Sequence, residues 1–413
     1  MNEGKKSVFP KDFLWGAATS SYQVEGGIEN CDWAQAAREG KVPVCGKAAD
    51  HWNRYEEDFD IAKELGHNAY RLSIEWSRIE PTEGEFNEEA IEHYRKMLVA
   101  LKERGITPVV TLWHWTRPLW VYERGGFEHS DTPEIFARYC GYVVERLSDL
   151  CEQFTTMNEP SVFSTHAHLY GCRPPFKRAS IFGFKLGKDY GHKYATPDVS
   201  MRNLFVYMRV MGQLVEAHRL AYDEIKQVAP HVQVSIAKHV RYFGANWNPF
   251  NKLVASVAAY AQSGYFLHRV KDKLDVLGLN YYRSTYFGVD IEADMTDIGW
   301  KVTPGDIYSA LKYVERFGKP IIIMEAGIAD ERDRDRASYI RKQVEGIERA
   351  LREGVDVRGH MYWSLLDNYE WDDGFGMRFG LVEINYDTLE RTIRPSAYVY
   401  RDLIRQYQGE AHP

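Results

Sequence analysis

Two glutamates end apolar runs in this chain. In FTTMNEP (154–160) Glu159 stands between an amide and a proline, and in PIIIMEAG (320–327) Glu325 closes a purer apolar run. Acidic residues seldom end an apolar strand unless water, a partner or a substrate receives them. Either one alone is equally well explained by an arginine at a strand end. Both together, on strand ends that face each other, suit cleavage of a glycosidic bond. A protonated carboxyl donates to the leaving oxygen, while an ionised one attacks or stabilises the anomeric carbon. A separation of ~5 Å implies retention of configuration and a wider gap implies inversion. Glu159, flanked by Met157 and Pro160, is expected to stay protonated if negative charge lies close by. Glu325 needs a cation and hydrogen-bond donors, for which Arg71 and Tyr282 are candidates.

Such a pair requires a scaffold that brings distant segments together. Eight short apolar runs recur along the chain: 13–20, 69–76, 107–115, 153–159, 232–239, 275–282, 320–327 and 358–366. Amphipathic stretches lie between them, such as 87–105 and 335–354, with apolar residues at helical spacing and a terminal glycine. Eight strand–helix units predict an α/β fold, a (β/α)₈ TIM barrel formed by residues 1–413 as a single domain. An open doubly wound sheet is the alternative, but no GxGxxG or phosphate loop follows any strand. In a barrel, Gln23, His114, Glu159, Tyr282, Glu325 and Trp363 all fall at or just beyond carboxyl ends of strands. Those ends converge on one mouth, where barrels of this kind place their chemistry.

Composition narrows the partners. The 413 residues carry a net charge of −7 and no basic run, which gives no support to a nucleic-acid partner. No uninterrupted apolar stretch is long enough to cross a bilayer, and the N-terminus lacks the apolar core of a signal peptide, so no membrane partner is expected. Five scattered cysteines without CxxC spacing favour free thiols in a cytoplasmic setting over disulfides or zinc. His166 and His168, in HAHLY, have a metal-like spacing but no third ligand. DERDRDR (330–336) reads as a solvated helix start. The 11 tryptophans and 27 tyrosines are a surplus, and flat rings with polar edges suit sugar faces, though they serve cores equally well.

Taken together, FPKDFLWGAATSSYQVEGG, YRLSIEWSRIEP, WHW, TMNEP, GLNYY, MEAGIAD and YWSLLDNYEWDDGFGMRFGLVEIN resemble glycoside hydrolase family 1 over almost the full length. That family contains retaining β-glucosidases and β-glycosidases. The resemblance implies that Glu159 is the acid/base and Glu325 the nucleophile, supported by Arg71 and Tyr282. Gln23, His114, Asn158 and Glu370 would bind sugar hydroxyls, and Trp371 would donate from its indole N–H. Trp363 would form the floor under the ring, and Trp300 the platform for the leaving group. Phospho-glycosidases of the family replace the acid at Glu370 and add a lysine and a tyrosine, where this chain has Met377 and Phe379. Anionic Glu370 would repel a 6-phosphate.

The chain also departs from the family. Ala326 replaces the usual asparagine after the nucleophile, and Thr116 and Arg117 follow WHW in place of the usual acid. Residues 240–275 look shortened, which predicts an opened mouth or a second cavity. The expected activity is that of a retaining exo-β-glycosidase acting on β-D-glucosides, with β-D-galactosides and β-D-fucosides as further candidates. It would need neither cofactor nor metal. A transglycosylase, or a sugar-binding protein of the same fold, is the competing expectation.

Overall fold

The computed structural model describes residues 7–181, 184–185 and 197–409. Each of the eight apolar runs contains a strand. These are β1 (Leu14–Ala18), β2 (Ala69–Ser73), β3 (Thr107–Thr111), β4 (Gln153–Asn158), β5 (Gln233–His239), β6 (Val276–Tyr281), β7 (Ile321–Ala326) and β8 (Val357–Trp363). Each pairs in parallel with its neighbours in sequence, and β1 closes the barrel on β8. Strands covered on both faces must be apolar on both, which is why they read as continuous runs. One set of side chains, including Ala18, Ala69, Val109, Ala237, Ile322, Met324 and Met361, fills the interior. The alternate set packs in a larger layer against the surrounding helices.

The outer ring includes α1 (His51–Glu64), α2 (Glu88–Glu103), α3 (Thr132–Leu147), α4 (Arg202–Val228), α5 (Pro249–Ala259), α6 (Tyr265–Val270), α7 (Ile307–Val314), α8 (Arg336–Arg352) and α9 (Pro395–Gln408). Helix α2 shows how local signals set its limits. Ile91, Tyr94, Leu98 and Leu101 recur at helical spacing and are buried. Asn87 Oδ1 accepts from the Ala90 N–H at 3.1 Å, and Gly105 leaves the helix with φ 69°.

Alternation alone would misplace one of the two glutamates. Ile322 and Met324 point into the barrel, so a regular β7 would turn Glu325 outward to the helices. The pairing of β7 shifts register against β6 between Leu279 and Asn280, and against β8 between Ile323 and Ala326. That irregularity brings Glu325 to the mouth. Strand β4 shifts similarly against β5 between Thr155 and Asn158.

The expectation of a solvated DERDRDR segment holds only in part: Glu331, Arg332 and Arg334 are exposed, but the two ends of the segment are not. Asp330 and Arg336 are buried. Asp330 Oδ2 accepts from the N–H groups of Asp335 at 2.8 Å and Arg336 at 3.0 Å. Arg336 pairs with Asp333, which also accepts from Ser396 Oγ at 2.6 Å. Helix α9 seats its start on this cluster, so the charges are structural.

The segment after β8 carries Glu370 and Trp371, and a buried carboxylate holds it. Asp367 accepts from Arg394 Nη1 at 3.0 Å and Nη2 at 2.9 Å, and from the Gly380 N–H at 2.9 Å. Arg394 is itself buried, immediately before α9. Asp367→Ala would strand that guanidinium without its carboxylate, so we expect a loss of about 3–5 kcal/mol in chemical denaturation. A loss below ~1 kcal/mol would mean that the segment is held by its other contacts.

Candidate active site

At the carboxyl ends of the strands lies a cavity of about 760 Å³. Its lining includes Gln23, His114, Asn158, Glu159, Tyr282, Trp300, Glu325, Trp363, Glu370 and Trp371. Ten of the eleven residues expected from sequence therefore meet in one chamber. The eleventh, Arg71, lies buried just behind it.

Arg71 organises the floor. Its Nη1 donates to Glu325 Oε1 at 2.5 Å, its Nη2 to Asn158 Oδ1 at 2.8 Å and its Nε to Thr111 Oγ1 at 3.0 Å. The Tyr282 hydroxyl donates to the other Glu325 oxygen at 2.7 Å. Because Arg71 can only donate, Asn158 must present its oxygen to it and its Nδ2 elsewhere. That Nδ2 lies 3.0 Å from His114 Nε2, which must therefore accept. Burial and nearby Arg71 hold the His114 pKa well below its usual value, so the ring is neutral with its proton on Nδ1. Buried Nδ1 finds no partner among the described residues, and neither does Glu370 Oε2. A donor and an acceptor are thus left open to a ligand.

Glu159 sits in a contrasting environment. Its backbone is left-handed, with φ 45°, and its N–H donates to the Ala237 carbonyl at 2.8 Å. Pro160 then opens a short helix, Pro160–Ser164. The side chain accepts at 3.0 Å from Asn280, whose Nδ2 also reaches Asn158 Oδ1 at 3.0 Å. Burial and the negative charge of Glu325 push the Glu159 pKa up to about 8, so the carboxyl is protonated at neutral pH. The two glutamates have the divided environments that acid and nucleophile require.

Aromatic rings form the walls. His114 is stacked between Trp363 (centroids 5.8 Å, 20°) and Trp371 (6.1 Å, 12°). The backbone of Gly327 explains the glycine in MEAG. A Cβ there would lie 1.8 Å from the Trp363 carbonyl oxygen. Gln23 is held at both ends of its amide, by Ser20 Oγ at 2.6 Å and by Asn368 Oδ1 at 2.9 Å. Arg283 lies over the Trp300 ring, 4.6 Å from its centroid.

Three lining or supporting residues escaped the sequence reading. Asn280 lies inside GLNYY, where nothing in the sequence sets it apart, yet it donates to Glu159 at 3.0 Å. Arg173 lies 4.5 Å over the Trp115 ring and pairs with Asp372 at 2.8 Å. No periodicity marks it, because it comes from an irregular segment. Lys238 is buried behind Glu159, its Nζ donating to the His239 carbonyl at 2.9 Å, and burial pushes its pKa down to about 7. A lysine inside the apolar run VQVSIAKH was the available signal.

The profile of glycosyl hydrolase family 1 matches residues 5–270 and 285–409. The chain belongs to this family. It is 30% identical to beta-glucosidase A of Acetivibrio thermocellus, across 97% of this chain and 99% of that protein. It is equally 30% identical to a beta-galactosidase of Sulfolobus acidocaldarius, across 96% and 95%. A solved beta-glycosidase from Pyrococcus horikoshii superposes with a TM-score of 0.86 at 34% identity, covering 98% of this chain and 96% of that one. The protein is therefore a glycoside hydrolase on a (β/α)₈ barrel, and its relatives act on β-glycosides.

Several departures from the family pattern resolve structurally. Ala326 does not line the cavity and is buried in the outer packing layer. Thr116 and Arg117 do not reach the cavity either. Thr116 Oγ1 donates to Glu75 at 2.8 Å, and Arg117 holds Asp32 at 2.7 Å, both buried. His166 lines the cavity, whereas His168 lies behind it, 3.4 Å from Glu128. Residues 240–275 contribute to the cavity itself. Tyr242–Ala245 pairs with Ser284–Phe287, and Phe243, Ala258 and Gln262 form one wall of the same cavity.

The electrostatic account has a direct check. With Glu325→Gln, the Glu159 pKa is expected to fall by roughly one unit or more, as read by carbon NMR of the labelled carboxyl. An unchanged value would mean that burial alone sets it.

Proposed function

We propose that this protein is a retaining exo-β-glycosidase that hydrolyses unphosphorylated β-D-glucosides, with β-D-galactosides and β-D-fucosides as further substrates. The observation that carries this reading is the division between the two glutamates. Glu325 is gripped by Arg71 and Tyr282, while buried Glu159 keeps a proton.

In the first step Glu325 attacks the anomeric carbon and Glu159 gives its proton to the departing oxygen. The glycosidic bond breaks, and a glycosyl ester forms on Glu325. Glu159, now ionised, takes a proton from water as the water oxygen attacks the same carbon, releasing the sugar and restoring both groups. Asn158, next to Glu159 in the chain, serves the 2-hydroxyl, where bonds that tighten in the transition state contribute most. Gln23, His114 and Glu370 take the outer hydroxyls, Trp363 underlies the ring, Trp371 donates from its indole and Trp300 receives the leaving group. Neither cofactor nor metal enters these steps.

The ground for excluding a 6-phosphate changes. Burial pushes the Glu370 pKa up to about 8, so it meets hydroxyls as an uncharged donor and acceptor below that pH. Selection then rests on Met377 and Phe379 standing where phosphate-binding members carry lysine and tyrosine. All five cysteines are free and buried, which supports a reducing, cytoplasmic setting. The whole chain is read as one catalytic domain.

Nitrophenol release from a panel of nitrophenyl β-glycosides tests this reading. We expect the β-glucoside to be cleaved, and Glu325→Gln to lower its rate by at least ~10³-fold. No release from any β-glycoside by the folded wild type would refute it. Glu159→Ala is expected to harm alkyl β-glucosides far more than nitrophenyl ones, because nitrophenolate leaves without a proton. Equal losses on both would deny Glu159 the acid role. For alkyl substrates kcat/KM should fall as pH rises through about 8, where free Glu159 loses its proton.

A further inference from the structure

One part of the surface around the mouth is unlike the rest. Fourteen large apolar side chains are exposed among the described residues, and nine of them fall in two short stretches, 199–208 and 247–260. Trp247 is 84% exposed, Phe250 69% and Leu253 61%. On α5, Phe250, Leu253 and Val257 stand at helical spacing on one outward stripe, which Tyr260 continues just past the helix end. The same stretch also lines the cavity, through Ala258, Ala261 and Gln262. An apolar stripe along a helix ordinarily faces a core, a partner or lipid rather than water.

The second stretch flanks the same opening. Tyr207 of α4 lines the cavity, and Phe205 and Met208 beside it are 68% and 52% exposed. Scattered exposed apolar residues need no explanation, but a concentrated patch beside a ligand cavity does.

Charge selects the occupant. Aspartate and glutamate make up 59 of 413 residues, yet none occurs from Val199 to Val215 or from Val240 to Lys271. The exposed charges on these stretches include Arg202, Arg209 and Lys252. One exposed acid, Asp198, adjoins the first stretch at its margin and accepts from Asn203 Nδ2 at 3.4 Å, and Asp290 is paired with Lys301 at 2.7 Å. A second copy docked symmetrically through this face would bring its basic groups against the same basic groups, with no acid in either stretch to meet them. An apolar helix with a protruding tryptophan and basic neighbours matches instead the boundary of an anionic lipid layer.

We propose that the rim formed by residues 199–208 and 247–260 seats on an anionic bilayer surface, with the cavity mouth beside the lipid. The early expectation of no membrane partner rested on the length needed to span a bilayer, and a surface seat requires no such length. No helix among the described residues is long and apolar enough to cross a membrane. Glycosides with an apolar aglycone would then reach the cavity from the lipid layer, a consequence that rests on the β-glycosidase reading, whereas the seat itself does not.

Co-sedimentation with vesicles tests the seat on the full-length protein. Vesicles containing phosphatidylglycerol should bind the wild type, and pure phosphatidylcholine vesicles should bind it at least ~10-fold less. The variant Phe250→Asp/Leu253→Asp should lose ~10-fold or more of the anionic-vesicle binding, while keeping its rate on a water-soluble nitrophenyl β-glucoside. Anionic-vesicle binding equal in wild type and variant, or absent in both, would overturn the proposal. So would a concentration-dependent dimer, abolished by the variant, in a protein that ignores vesicles. That outcome would assign the face to a second copy.

Discussion

The site depends on one buried ion pair, Arg71 with Glu325. A guanidinium and a carboxylate shut away from water are costly, and their attraction offsets that cost only when their remaining hydrogen-bonding capacity is also used. Here it is. Arg71 reaches Thr111 and Asn158 as well as Glu325, and Tyr282 serves the other carboxylate oxygen. The contacts join strands β2, β3, β4 and β7 across the barrel. The donor-only character of arginine then propagates outward, fixing which way Asn158 faces and which nitrogen of His114 carries its proton. Two residues away from the carboxylate, the polarity of the pocket is already determined.

The same pair shapes the other glutamate. Keeping Glu325 charged places a negative group near Glu159, whose own burial already disfavours ionisation. Attraction at one carboxyl thus becomes repulsion at the other. The cavity also uses left-handed backbone at three non-glycine residues. Glu159, Trp115 and Trp371 all have positive φ around this cavity, at a cost of roughly 1–3 kcal/mol each. A closed barrel with two packed layers can hold such conformations, since no single strand end moves without its neighbours.

Much of this was legible in the sequence because barrel strands carry apolar residues on both faces, so any polar residue at their ends stands out. Glu159, Glu325, His114 and Gln23 were visible for that reason. Arg71 and Tyr282 could be named as candidates because a charged nucleophile needs donors. What stayed hidden depended on register and on irregular chain. Nothing in PIIIMEAG shows that a register shift is needed to turn Glu325 inward. Arg173 enters from a segment without periodicity. Charged residues misled where tertiary packing overrode composition, as with Asp330 and Arg336 under α9, and Arg117 on Asp32. In residues 240–275 the sequence shows a short segment, while its share in the cavity wall and the exposure of its outward face come only from the structure.

The central claim is that Glu325 bonds covalently to the sugar while Glu159 manages the proton. A β-glucoside bearing fluorine at carbon 2 and a good leaving group slows both steps, and slows release most, so the intermediate should accumulate. Intact-protein mass spectrometry after incubation should show one added fluoroglucosyl group, and peptide mapping should place it on Glu325. Normal cleavage of the parent glucoside with no adduct, or an adduct on any other residue, would contradict the account.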